Sequence, residues 1–328
     1  MTKNLHSKWT YVQRHWRILV RHLTMRRAVN LAINSVELHL RRRRLLSYPP
    51  YLKIDPSVRC QLRCVGCPQV SDKFRASLPK KGFLAVDEFK KIVRPLAKTT
   101  IAISLSQFGE PLLNKDILSM VEFAHSLRIG VHFPTNFSLK FSDAYLEQLV
   151  KSGLDKLTVA LDGASKETYD QYRVGGNFDL VTRNVRRLSD MKRRLKSRTP
   201  LVEWKFVVFD HNEHETEVVR TRFREWGFDS HSLVYDRHGE SSRRVRLSRY
   251  AARKPCFWLY NTMHVDCDGT VRPCCGAPDW RIGNALETDS AAVWNSCRYQ
   301  ELRAGFGFRK YGQNMDPLCR KCSKEEPA

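Results

Sequence analysis

Cys60, Cys64 and Cys67 stand on one short stretch, Cys60-Gln61-Leu62-Arg63-Cys64-Val65-Gly66-Cys67, directly after an apolar, strand-like run. Three thiolates at this spacing can hold three irons of a 4Fe-4S cube, leaving the fourth iron open to a substrate or cofactor. Thiolates also suit tetrahedral zinc, and a CX2C pair is its usual beginning. Zinc wants a fourth Cys or His nearby, and residues 69–89 supply neither. The tail holds a second concentration, Cys256, Cys267, Cys274, Cys275, Cys297, Cys319 and Cys322 within 67 residues, which marks a second metal-binding region.

Composition bounds the elements that must position these cysteines. At 328 residues the chain can bury one large core or two smaller ones. Hydrophobic residues make up 42%, and no apolar run approaches the roughly 20 residues needed to cross a bilayer. The N-terminus shows no secretory hydrophobic segment, because Arg and His interrupt it throughout. The expectation is a cytoplasmic protein, in which ten reduced cysteines argue for metal binding or catalysis rather than a disulfide framework. The net charge of +23 favours anionic partners and is unevenly spread: residues 1–50 carry eleven Lys or Arg against one acid, Glu37, a net +10.

In that basic segment Trp9, Val12, Trp16, Leu19 and Leu23 recur at helical spacing, with Arg14, Arg17 and Arg21 between them. A second helical stretch covers residues 28–40, before four arginines at 41–44. Two readings stand. Residues 1–48 attach to an anionic membrane surface or an acidic partner, or the Trp face packs on the main body while the arginines face water.

From Tyr51 the signals alternate. Strands at 51–54, 101–105, 130–133, 156–161, 202–209 and 232–235 are separated by helices at 87–96, 116–128, 143–151, 166–172, 180–195 and 214–226. Six βα repeats predict an α/β fold, a partial (β/α)6 TIM-like barrel with its chemistry at the C-terminal ends of the strands. The cysteine loop, Gly109-Glu110-Pro111, Thr135-Asn136 and Asp162-Gly163 fall there, after strands one to four. Beyond a polar, basic linker at 241–254 the rhythm stops, and Asp268-Gly269 signals a hairpin. The expected division is a basic amphipathic helical segment at 1–50, a barrel at 51–240 and a small cysteine-rich α+β domain at 241–328.

Over about residues 51–325 the chain resembles the radical S-adenosylmethionine (SAM) enzymes with a C-terminal SPASM or twitch domain. The resemblance rests on a succession: CX3CX2C, Gly109-Glu110-Pro111, Ala160-Leu161-Asp162-Gly163, then Tyr172-Arg173-Val174-Gly175-Gly176. It implies that Cys60, Cys64 and Cys67 hold a 4Fe-4S cluster whose open iron is chelated by SAM. An electron from a reductant such as flavodoxin or ferredoxin then cleaves the sulfonium bond, and the 5′-deoxyadenosyl radical takes hydrogen from a C–H bond.

By the same resemblance the Gly109, Glu110 and Pro111 turn lies beside the SAM amine. Arg173 is a partner for the SAM carboxylate, and Asn136 and Asp162 belong to the cofactor-binding set at the third and fourth strand ends. Two departures stand out: Gln61 where the family commonly has Asn, and Ala160 where it commonly has Ser, which removes a hydroxyl. In the tail, Cys256, twelve residues, Gly269, four residues and Cys274 match the family's CX9–15GX4C, and Cys319 and Cys322 supply a closing pair. The implied auxiliary 4Fe-4S cluster has a four-cysteine zinc site as its alternative. The chain ends six residues after Cys322, so the shorter, single-cluster twitch form is expected.

Cys275 adjoins a proposed ligand and is a candidate hydrogen donor to a substrate radical, whereas Cys267 and Cys297 read as small buried hydrophobes. The first functional expectation is dehydrogenation or epimerisation of a small polar metabolite, sugar or aminocyclitol-like. The alternative is a peptide or protein maturase. From another class come a basic nucleic-acid-binding protein, for which no recognised module is present, and an iron-sulfur electron-transfer protein.

Overall fold

A computed structural model describes residues 16–236, 255–274, 280–307 and Cys319. The expected segments at 1–15 and 237–254, and Cys275 and Cys322, lie outside the described residues. Two helices, α1 (16–22) and α2 (Met25–Leu40), precede β1 (Tyr51–Ile54). The alternation continues with α3 (Asp72–Ser77), α4 (Val86–Val93), β2 (Ala102–Leu105), α5 (Ile117–Ser126), β3 (Gly130–Thr135), α6 (Asp143–Lys151) and β4 (Lys156–Ala160). Then come α7 (Lys166–Tyr172), α8 (Phe178–Arg194), β5 (Leu201–Val208), α9 (Thr216–Arg222) and β6 (Ser230–Tyr235).

These six strands are parallel and lie side by side in sequence order, the partial (β/α)6 barrel expected from the repeats. Being covered on both faces, a central strand such as β4 is buried at all five positions. Its polar members are satisfied inside: Lys156 Nζ meets Glu203 Oε1 at 2.8 Å, and Thr158 Oγ1 donates to Glu203 Oε2 at 3.1 Å.

The tail begins with α10 (Phe257–Asn261) and continues the same sheet. β7 (Thr262–Val265) runs parallel to β1, and β8 (Thr270–Arg272) turns back against it, followed by β9 (Gly283–Asn284), α11 (Ser290–Trp294) and α12 (Cys297–Ala304). The turn is the expected one: Gly269 sits at φ +82°, where an added Cβ would lie 2.5 Å from Asn284 Oδ1. The C-terminal strand ends lie on one side of the sheet with a small stagger. Ile54 faces both Leu105 and Val265, Thr135 faces Val159, and Ala160 faces Lys205, three residues before β5 ends, so the loops that follow share one rim.

The opposite end of the barrel is closed by α1 and α2, in the reverse sense to the expected packing. In α1 it is Ile18 and His22 that are buried, while Trp16 is 54% exposed. Gly130 makes room for them, since a Cβ there would stand 2.3 Å from Ile18. In α2 the buried stripe is polar: Arg27, Asn30, Asn34 and Glu37. The loops entering the strands present main-chain carbonyls, and buried carbonyls need donors. Arg27 supplies them to His22 O (2.8 Å), Ala97 O (3.0 Å), Leu127 O (3.0 Å) and Arg128 O. Asn30 exchanges two bonds with the Tyr48 backbone, and Asn34 donates to Tyr260 O at 2.5 Å.

Candidate active site

The cysteine loop leaves β1 and is fixed at its root by a glycine. Gly109 lies so close beneath it that a Cβ would fall 1.9 Å from Ser57 O, and Glu110 N donates to Arg59 O at 2.8 Å. The loop's far side pairs with the C-terminal end of α7 and the residues after it: Arg63 N donates to Val174 O (2.8 Å) and Val65 N to Tyr172 O (3.0 Å). Gly66 takes φ +77° between Val65 and Cys67. Cys64 is buried, and Cys60 and Cys67 are half-buried.

Burial pushes the Cys60 thiol up to about 11 and raises that of Cys64. A cluster must therefore displace protons held by desolvation, and the loop provides donors that favour the thiolates it would leave. Arg173 Nη1 lies 3.6 Å from Cys64 Sγ and Asn136 Nδ2 lies 3.8 Å from Cys60 Sγ. Hydrogen bonds to cluster sulfurs and an adjacent positive charge are what thiolate-bound iron uses to tune its potential, so these residues fit the group.

The Glu110 side chain is buried and already engaged. Its Oε1 accepts from Leu112 N (3.0 Å) and Thr135 Oγ1 (2.7 Å), and its Oε2 from Asn136 N (2.7 Å). Burial raises its pKa more than these donors lower it. One lone-pair site on Oε2 remains for a further donor such as an ammonium. Pro111 starts the short 3-10 turn Pro111–Leu113 that follows. Asn136 is also paired with Gln61, Gln61 Nε2 donating to Asn136 Oδ1 at 2.9 Å. The amide that departs from the family's Asn thus bridges the cysteine loop to the end of β3.

Asp162 follows β4 and is wholly buried. It accepts from Val207 N at 2.7 Å and from Arg173 Nε at 2.7 Å. Gly163 is required beside it, because a Cβ would stand 2.4 Å from Tyr169 N. Burial alone would lower the Arg173 pKa, but Asp162 and the Cys64 sulfur outweigh it and hold the guanidinium charged. Arg173, expected from the resemblance beside the SAM carboxylate, is 14% exposed and locked between the Asp162 carboxylate and Cys64.

Of the tail cysteines, Cys256 caps α10, Cys274 follows β8 and Cys319 packs against the core. Cys267 is fully buried and donates to Lys81 O at 3.0 Å. Cys297 is exposed at the start of α12 and is not the buried hydrophobe expected.

Sequence reasoning missed a second set of polar groups on the rim. Asp55 and Asp266 each directly follow a strand, β1 and β7, whose last residues are register partners. Burial first, and then Asp266, push the Asp55 carboxyl well up. Asp266 is held by Arg272 across the hairpin. His264, one pleat below, is buried and its pKa falls to about 3 through desolvation. The available signal was an acid placed immediately after each apolar strand.

Residues 54–203 match the family model of the Radical SAM superfamily, and residues 256–323 match the SPASM iron-sulfur cluster-binding domain. The chain is 29% identical over 145 residues to the mycofactocin maturase MftC of Mycolicibacterium smegmatis, covering 44% of this chain and 36% of the relative. It is 32% identical over 114 residues to the AdoMet-dependent heme synthase of Methanosarcina barkeri, covering 35% and 31%. The matches thus span about a third of the length of these curated relatives. In fold the chain resembles Streptococcus suis SuiB bound to S-adenosylmethionine, with a TM-score of 0.64 at 16% identity over 93% of this chain and 74% of that one.

Proposed function

Because the chain belongs to the radical SAM superfamily and carries a C-terminal SPASM-type iron-sulfur domain, we propose that it is a radical SAM maturase acting on a peptide or protein. Cys60, Cys64 and Cys67 would hold a 4Fe-4S cluster, which when bound would supply the electron for reductive cleavage of SAM and so the power to take hydrogen from a substrate C–H bond. Arg173, held by Asp162, orients the cysteine loop and keeps a positive charge beside Cys64. Glu110 and Asn136 bind the SAM methionine end together with the backbone of the Gly109-Glu110-Pro111 turn. Cys256, Cys274, Cys319 and Cys322 would hold the auxiliary cluster.

What supports the substrate class is the match to a named maturase, together with a fold neighbour, SuiB of Streptococcus suis, solved bound to its precursor peptide. It reverses the order expected from the short tail, which put a sugar or aminocyclitol first. The test is anaerobic reconstitution with a reductant such as flavodoxin, SAM, and a panel of peptides, sugars, aminocyclitols and nucleotides. The expected result is 5′-deoxyadenosine formed in step with modified peptide. Product formed only with a small metabolite overturns the peptide assignment, and no SAM cleavage under reducing conditions overturns the enzyme.

A further inference from the structure

The outer face of α2 is apolar. Met25, Val29, Ile33, Val36 and Leu40 recur at four- and three-residue steps and are all exposed, Met25 by 82% and Val36 by 56%. At 3.6 residues per turn this stripe is centred about 120° around the helix from the buried polar one. Trp16 and Val20 of α1 are exposed as well. Of the fifteen large hydrophobic side chains exposed among the described residues, ten lie between Trp16 and Tyr48. Surface apolar residues scattered singly are ordinary, whereas a contiguous row marks a contact. The stripe cannot turn inward, because the polar stripe is bonded to the floor of the barrel.

The surroundings of the stripe are positively charged. Exposed Arg17, Arg26, Arg42, Arg43 and Arg44 flank it, and the single acid in this stretch, Glu37, faces inward on Leu46 N and Ser47. At the N-terminus of α2 an open depression of about 430 Å³ has Arg26, Arg27, Arg94, Lys98 and Arg128 around an apolar floor of Ala97 and Leu127. None of its lining residues is acidic, and the buried Arg27 Nε faces no acceptor. Apolar row and cationic depression adjoin on the end of the barrel opposite the rim that holds the cysteine loop.

We propose that the outer faces of α1 and α2 dock on an anionic phospholipid bilayer, with a lipid phosphate seated in the depression between Arg26 and Lys98. The apolar row enters the boundary between headgroups and acyl chains, and the arginines meet the negative surface potential. A second copy of this chain would instead bring a matching row of arginines against these, with like-charge repulsion. Docked in this way, the enzyme turns its catalytic rim away from the bilayer, so the substrate arrives from water rather than from the lipid plane.

The experiment is flotation of the full-length protein with vesicles of phosphatidylcholine alone or of phosphatidylcholine and phosphatidylglycerol in equal parts, without SAM or substrate, so that it stands apart from the catalytic assignment. Wild-type protein is expected to float with the anionic vesicles and not the neutral ones, and to be released by high salt. Val29→Asp combined with Val36→Asp changes only exposed positions and should lower the partition at least about tenfold, with circular dichroism and bound iron unchanged. Arg26→Glu combined with Lys98→Glu should lower it as well, and flotation equal to wild type would remove the phosphate from the depression. No flotation of the wild type, or equal flotation of the Asp variant, overturns the proposal. A concentration-dependent dimer in sedimentation that the Asp variant abolishes, without vesicle binding, assigns the face to a second copy.

Discussion

Arg173 holds Asp162 at 2.7 Å through Nε and sets Nη1 3.6 Å from the Cys64 sulfur, so that one guanidinium ties the end of β4 to the cysteine loop. Removing one partner of a buried ion pair leaves the other uncompensated, at a cost of about 3–5 kcal/mol. Arg173→Ala should therefore destabilise the chain by that order in urea unfolding. Arg173→Lys should recover part of the stability but not the two-pronged geometry, with weaker SAM binding measured by isothermal titration.

The two glycines of the site should respond differently. Gly109→Ala drives a methyl into Ser57 O, a backbone atom that cannot yield, and is expected to cost about 2 kcal/mol or more and to abolish SAM cleavage. Gly66→Ala meets no atom within 4 Å, and pays only the left-handed backbone penalty of about 1–2 kcal/mol. Thermal unfolding of the two variants side by side checks the contrast.

The two sets of cysteines should separate in iron content. Reconstituted wild-type protein is expected to bind about eight irons. Cys60→Ala, Cys64→Ala and Cys67→Ala together should leave about four and end SAM cleavage. Cys256→Ala with Cys274→Ala should also leave about four while 5′-deoxyadenosine still forms. Iron analysis and the absorbance of the reduced and oxidised samples read both.

His264 should give an acid-side signature. Its folded pKa lies near 3, below the ordinary 6.5, so the unfolded chain binds the proton more tightly between those values. Its contribution is fully present above pH 6.5 and is lost as pH falls towards 3, at up to about 1.4 kcal/mol per pH unit. The stability difference between wild type and His264→Phe should shrink through that window. Chemical denaturation at stepped pH measures it.

Arg27 should matter to the floor of the barrel. Arg27→Leu leaves three carbonyls, of His22, Ala97 and Leu127, short of a donor, at about 1–3 kcal/mol for each one that water cannot reach, while Arg128 O keeps its contact with His22 Nδ1 at 3.0 Å. A lower midpoint in urea unfolding is the expected outcome.

The sequence by itself determined what depends on spacing along the chain. Three thiols on eight residues, the order of six βα repeats and the motifs at four strand ends are local facts, and the fold places them on one rim because parallel strands all point their C-terminal ends the same way. What spacing could not carry is the choice between faces. The period of α2 separates two stripes, but only the floor of the barrel decided that Arg27, Asn30, Asn34 and Glu37 go inward, because the strand-entry carbonyls there require donors. Likewise Asp55 and Asp266 are 211 positions apart in the sequence, and only the pairing of β7 with β1 brought them together. The cysteine loop could be read from its own residues, while the neighbours that charge, tilt and clamp it, Arg173 with Asp162 and Gly109 under Ser57, were set by contacts between elements that no local pattern encodes.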